Sequence, residues 1–339
     1  MNILVYRLGS LGDTVVALPC FYKIAASFPG SKRFLLTNVP VSVKAAPAEL
    51  VLKGTGLIDA VISYPIGIRS PGKLAQLLRR LRSYRFDAAV YLTQPRGRLT
   101  LFRDYLFLKS CGIKAIYGIP FRSDLYSNRR ENDVVFEYEA QRLARCMRPL
   151  GAIDLDDSSN WDLNLNENEK STADEALQAT GGRPVLAVNI GGKLAVQDWG
   201  DTNWLIALDT IKTRFPQLAM VFVGSADERN RVDGLLRNLN GAGINLCGKL
   251  TPRETAAVFD RSVLFLGHDS GPMHLAASRQ IQCVGLFGSN NPPKIWHPYG
   301  SKHIVFHEQR GIGLIPPAAV IDALESIFKA HQLTPQGHP

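Results

Sequence analysis

The sequence predicts an α/β protein made of two doubly wound domains in tandem. Three observations lead there. Short β-rich apolar runs alternate with segments of helical periodicity, the alternation restarts after a polar stretch near the middle, and 339 residues exceed what a single core usually organises. An apolar fraction of 45% and a charged fraction of 20% fit a globular chain.

In the first half, NILVYRL (2–8), RFLLTN (33–38), DAVISYP (59–65), DAAVYLTQ (87–94) and KAIYGIP (114–120) read as buried strands. Helical spacing of apolar residues covers 14–28 and 73–84 between them. Such alternation implies a mostly parallel sheet with helices on both faces. The polar run DLDDSSNWDLNLNENEK (154–170) reads as the approach to an interdomain linker, followed by a helix over 171–180 and a break at Gly181-Gly182-Arg183-Pro184. The pattern then restarts with PVLAVNIGG (184–192), LAMVFVGS (218–225), INLCGKL (244–250), SVLFLG (262–267) and QCVGLFGS (282–289). TPRE (251–254) is a capping box, with Thr251 as N-cap, Pro252 at N1 and Glu254 at N3. An amphipathic helix over about 317–330 closes the chain. The expected organisation is an N-terminal domain over 1–165, a C-terminal domain over 166–316, and a closing helix and tail over 317–339 that can pack back on the N-terminal domain.

Several function classes drop out on composition. The five cysteines are scattered and form no C-x-x-C pair, which excludes a disulfide framework or zinc knuckle and fits a reducing cytosol. NILVYRL starts without a basic leader, and no apolar run reaches the length of a membrane span, so a soluble cytoplasmic protein is expected. The net charge of +9 is concentrated between Arg69 and Arg130, where fourteen Lys/Arg face three Asp. That segment is either a solvated basic face or a surface for a polyanion.

Open α/β sheets bind ligands beyond the carboxyl ends of their strands, so each site is expected in a loop just after a strand. LGSLGDT (8–14) follows the first strand; Gly9 and Gly12 permit a tight turn, and Ser10 lies between them. Asp13 ends this loop, either as a helix N-cap or as a general base at the cleft. All seven histidines lie at or beyond His268, so a proton acceptor in the first domain would be a carboxylate. Gly191, Gly192 and Lys193 suit an anion loop, or equally a turn with a surface lysine. Asp227 can bind ribose hydroxyls or can serve as an acid in the first turn of a helix. GHDSGPMHLAAS (267–278) resists two readings: Ser270 lacks the G-x-S-x-G elbow of a serine hydrolase, and His268 and His274 are six apart, unlike a helical zinc pair. Strand, Asp269-Ser270-Gly271, then a helix opening at Pro272 and running through Met273 and His274, instead presents free N–H groups to a phosphate. DLDD (154–157) lies in the polar run, away from any buried strand, and no obligatory metal is expected.

Three motifs together resemble glycosyltransferase family 9: R-L-G-S-L-G-D at 7–13, D-S-G-P-M-H at 269–274 and LFGSNNPPKIWHPYG at 286–300. They stand in the family's order, and the resemblance spans nearly the whole chain. The best-known members are ADP-heptose:lipopolysaccharide heptosyltransferases. The resemblance implies a GT-B architecture, in which an acceptor-binding Rossmann-like domain faces, across a cleft, one that holds a nucleotide sugar. It further implies inversion at the anomeric carbon without a metal or other cofactor, the nucleotide sugar, ADP-heptose, being a co-substrate. By motif match Asp13 would be the base, with Gly9, Ser10 and Gly12 in the acceptor-side loop. Backbone N–H groups around Ser270, Gly271 and Met273, with Lys193, would stabilise the leaving diphosphate. Asp269 and His274 fall on the family's D-[ST]-G-x-x-H positions, and Asp227 falls where an acid contacts the nucleoside. One departure stands at Gln197: many relatives carry a lysine two positions before the tryptophan matching Trp199. The implied acceptor is a lipopolysaccharide core or other anionic glycan, met at the cytoplasmic face of the inner membrane, and no nucleic acid is expected. The alternatives are a member using another nucleotide sugar for O-antigen or capsule, and a non-catalytic basic α/β module.

Overall fold

A computed structural model describes residues 1–39, 46–67, 70–192 and 194–333. The chain divides into two compact units, Met1–Asn164 and Leu165–Pro339.

The first unit holds strands β1 (Asn2–Tyr6), β2 (Lys32–Val39), β3 (Ala60–Pro65), β4 (Ala88–Tyr91) and β5 (Ala115–Tyr117). Its helices are α1 (Leu11–Val16), α2 (Leu18–Ser27), α3 (Ala48–Leu52), α4 (Pro71–Ser83), α5 (Arg98–Ser110), α6 (Ser123–Tyr126) and α7 (Glu139–Cys146). The sheet runs β3-β2-β1-β4-β5 with every pairing parallel. Its order reverses beside β1, so the loop after β1 opens at a topological switch point. Alternate residues of β1, Leu4 and Tyr6, join Leu36, Ile62, Leu81, Ala89 and Leu108 in one core. The helix expected over 14–28 is two helices that meet at Ala17, the C-cap of α1 and N-cap of α2, just before Pro19 in the first turn of α2. Proline lacks the N–H that a continuous helix would need there.

The polar run from 154 packs on the first unit up to Asn164, where the chain passes into the second unit. Trp161 is buried and its Nε1 donates to Leu155 O at 2.8 Å, Tyr22 Oη donates to Asp162 O at 3.0 Å, and Asn164 Nδ2 donates to Thr55 O at 2.7 Å. The DLDD carboxylates serve their own backbone: Asp154 accepts from Asp156 N at 3.0 Å and Asp157 from Ser159 N at 2.9 Å.

The second unit holds β6 (Val185–Asn189), β7 (Ala219–Phe222), β8 (Ile244–Asn245), β9 (Ser262–His268), β10 (Gln282–Phe287) and β11 (Ile304–His307), with helices α8 (Glu167–Ala176), α9 (Asp201–Arg214), α10 (Arg229–Asn238), α11 (Pro252–Asp260), α12 (Gly271–Ser278) and α13 (Pro317–Ala330). The all-parallel order β11-β10-β9-β6-β7-β8 is the Rossmann order, reversing between β6 and β9. β11, four half-buried residues at the sheet edge, carries too short an apolar run to read from sequence. α8 starts four residues earlier than expected, because Asn166 and Glu169 form a capping box: Asn166 Oδ1 accepts from Glu169 N at 2.9 Å and Glu169 Oε2 from Asn166 N at 2.8 Å. α11 has the expected cap at Thr251, reciprocated by Glu254. α13 packs within the second unit. Its face Val320, Leu324 and Phe328 joins the core of the second unit, with the Phe328 ring 5.0 Å from Phe215 beside α9.

Candidate functional site

In the first unit the loop after β1 is shaped around Asp13. Ser10, in extended conformation, is the N-cap of α1 and Asp13 is at N3, which corrects the reading of Asp13 as the cap. The Asp13 Oδ2 accepts from Ser10 N at 2.8 Å and Ser10 Oγ at 3.0 Å. Both bonds fall on Oδ2, and Oδ1 has no protein partner among the described residues. Gly9 has φ +121°, and a Cβ there would lie 2.5 Å from that of Asp13, so no other residue fits without displacing the carboxylate. Gly12 is buried within α1. Arg7, fully buried, donates to the carbonyls of Leu92 and Asp13, tying this loop to the chain leaving β4. Burial pulls the Arg7 pKa down, and the neighbouring Asp13 charge opposes that.

In the second unit the polar groups gather at the switch point between β6 and β9. Asn189 ends β6; its Nδ2 donates to Val223 O at 2.9 Å and to Glu228 Oε2 at 3.2 Å, and its Oδ1 accepts from Ser270 Oγ at 2.9 Å. Ser270 is the N-cap of α12, but its hydroxyl is spent on Asn189 and makes no side-chain cap. The first turn of α12 therefore keeps its N–H groups and the positive end of its dipole for another acceptor. Gly271 is N1 and Pro272 N2, one residue later than expected for the proline. Met273 and His274 are buried, and the His274 ring meets Trp296 edge-on at 6.0 Å. Asp269 Oδ2 accepts from Gln197 Nε2 at 3.1 Å and from Asn291 Nδ2 at 2.8 Å. Gln197 is itself buried, and its Oε1 accepts from Leu194 N at 3.2 Å. The residue at the lysine position thus fastens the turn after β6 to the loop after β9. His268 is buried and held neutral, its pKa pulled down to about 4 by desolvation; Trp199 N donates to its Nε2 at 3.2 Å. Lys193 lies outside the described residues.

Two acids stand side by side after β7. Asp227 is exposed in a short turn, whereas Glu228, next in sequence, is half-buried over Gly191 and Gly224. A Cβ added at either glycine would sit 2.1 or 1.9 Å from the Glu228 carboxylate group. Ser225 Oγ donates to Glu228 Oε1 at 3.1 Å, and burial raises the Glu228 pKa against these hydrogen bonds. Sequence could not choose between adjacent acids in a turn; Asn189, Glu228 and Asn291 were missed. The one legible signal was an asparagine closing the apolar run VLAVN.

Two parallel Rossmann-like domains in tandem, each with polar groups at the switch point of its sheet, make the GT-B fold. The chain belongs to glycosyltransferase family 9 (heptosyltransferase), whose sequence profile matches residues 74–312. It is similar to lipopolysaccharide heptosyltransferase 3 of Escherichia coli K12, at 29% identity covering 94% of this chain and 95% of that one. Among solved structures it resembles the family 9 glycosyl transferase of Veillonella parvula (TM-score 0.76, 19% identity, 97% of both chains). It also resembles the ADP-heptose lps heptosyltransferase II of E. coli (TM-score 0.70, 19% identity, 98% of this chain and 100% of that one). As a glycosyltransferase it is no longer open to the reading as a basic module without catalysis. Among the described residues no helix is long and apolar enough to cross a membrane.

Proposed function

We propose that this enzyme transfers a heptose or related sugar from an ADP-linked donor to a lipopolysaccharide-core acceptor, with inversion and without a metal. The observation that carries the reading is Asp13: a carboxylate at the switch point of the first sheet, held through Oδ2 and open at Oδ1. In the proposed step Asp13 takes the proton of the acceptor hydroxyl as its oxygen attacks the sugar C1. The C1–O bond to the diphosphate breaks on the opposite face, and the electron pair leaves with the diphosphate. Backbone N–H groups at the start of α12 take up that developing charge, and Glu228 accepts from a ribose hydroxyl. The basic N-terminal segment draws the anionic acceptor, and with it the membrane surface, by long-range attraction. The E. coli relatives, named for lipopolysaccharide and ADP-heptose, support donor and acceptor alike.

Asp13→Asn tests the base. Turnover falls by roughly 10²–10⁴, the range of general-base catalysis, while ADP binding persists and the fold is kept; near-normal turnover would remove Asp13 from the role. Activity that survives EDTA is expected, and loss restored only by a divalent cation would overturn the metal-free step. A second reading, another nucleotide sugar for O-antigen or capsule, draws on Gln197 at the lysine position. Melting shifts with ADP-, UDP-, GDP- and dTDP-sugars separate the two, since a ligand bound only by the folded state raises the melting temperature.

A further inference from the structure

The N-terminal unit contains a cavity of about 560 Å³ at the carboxyl edge of its sheet, bounded by the ends of β1, β2 and β3 and by α4 and α5. That size is typical of small-molecule sites, roughly 300–1,000 Å³. Its walls are largely apolar, with Leu36, Leu77 and Phe107 among them. The rim residues Ile66, Leu74 and Leu106 are about half exposed, at 50%, 45% and 49%, so the apolar lining continues out to the surface. On α5 the stripe goes further: Leu99, Phe102 and Leu106, at i, i+3 and i+7, are all exposed on one face, with Arg98, Arg103 and Lys109 on the same helix. Exposed Leu and Phe beside Arg and Lys offer an apolar surface next to positive charge, which suits a molecule that is apolar at one end and anionic at the other.

The polar groups at this cavity are few and carry a net charge. Asp104 is buried between two guanidiniums: Oδ2 accepts from Arg96 at 3.1 Å and from Tyr91 Oη at 3.1 Å, and Oδ1 accepts from Arg103 at 2.9 Å. Two cations on one carboxylate leave a surplus positive charge, and both arginines keep exposed surface. Asn38 also lines the cavity, and its buried Oδ1 has no hydrogen-bond partner among the described residues, so a hydroxyl on a bound molecule would satisfy it.

We propose that this cavity takes the hydrocarbon chain of an anionic amphiphile presented at the membrane surface, with Arg96 and Arg103 meeting its phosphate. A sugar or a free anion alone has no use for the half-exposed leucine rim, whereas a chain leaving a headgroup buries both rim and walls. The inference rests on the acceptor-side reading of the N-terminal unit and assigns it the lipid end of the acceptor.

The test measures binding of n-dodecyl phosphate, below its micelle concentration and in high salt, against inorganic phosphate, by calorimetry on the full chain without donor. Saturable dodecyl phosphate binding, at least tenfold tighter than phosphate, is expected. Leu74→Asp and Leu106→Asp, both at exposed positions, should each weaken it tenfold or more at unchanged melting temperature. Arg103→Gln should weaken it severalfold and Arg237→Gln, in the second unit and outside the cavity, should leave it unchanged. Equal binding of phosphate, insensitivity to both aspartate variants, or equal effects of the two arginine variants would overturn the proposal. The wild-type comparison stands even if a variant fails to fold. Binding by an enzyme inactive toward ADP-heptose would sink only the donor reading, and heptosyl transfer without binding would sink only the cavity.

Discussion

Glu228 lies against two glycines in the second unit, and its chemistry follows from that confinement. Burial favours its protonated form, so its folded pKa is raised and the folded chain holds that proton more tightly than the unfolded one. The stability this contributes is complete below the unfolded value, about 4.3, and is lost as pH rises through the folded pKa. Glu228→Gln therefore raises the melting temperature more at pH 8 than at pH 4.5, and weakens ADP binding about tenfold, the scale of one hydrogen bond to a charged group. Melting curves at the two pH values and an ADP titration check both; a pH-independent difference in melting would refute the first. Neighbouring Asp227 and Glu228 have equal claims in the sequence. Only the path of the turn 226–228 turns one outward and the other over Gly191 and Gly224, because one residue of short-helix rotation changes the direction of a side chain by roughly a third of a turn.

At the scale of elements, α4 shows how little of a helix needs to be apolar. Leu77 and Leu81 alone are fully buried, and Arg79 and Arg80 are exposed on the opposite face. Arg82 has a second task, its Nε donating to Ser110 O at 2.8 Å and joining α4 to α5. Neutralising Arg79, Arg80 and Arg82 is expected to raise the acceptor KM severalfold at low salt, with a smaller effect at high salt, and to leave the donor KM unchanged. The Arg79/Arg80 double variant separates charge from the Arg82 tie; equal effects on donor and acceptor would count against the steering role. The caps explain which element ends were legible. Thr251-Pro252-Arg253-Glu254 announces α11 in four residues. Asn166 and Glu169 do the same for α8, but they are embedded in a run so polar that it reads as linker. The tryptophan that fixes the preceding segment is recognisable only once Leu155 O lies within its reach.

Across the whole molecule the titratable burden is uneven. Desolvation holds His268 and His303 down to about 4 and His297 to about 3, all three in the second unit, while the first unit has no histidine. Unfolded histidines bind protons near pH 6.5, so the stability these neutral rings allow is present above that value and is lost as pH falls toward the folded values. Hydrogen exchange at pH 7 and pH 5 should show protection falling first in Leu165–Pro339; equal loss in both units would refute it. The sequence by itself determined the class of the fold, because strand and helix periods are local and each strand had to be apolar on both faces to lie in a covered parallel sheet. It also determined the position of Asp13 and of the 269–274 loop, since sites in open α/β sheets follow their strands. Tertiary structure alone decided which acid reaches the second switch point, that Gln197 and Asn291 meet on Asp269, that α13 belongs to the second core, and that the cavity beside α5 exists. Those are contacts between residues tens of positions apart, made by the order of strands in the sheet, and no local period in a sequence encodes that order.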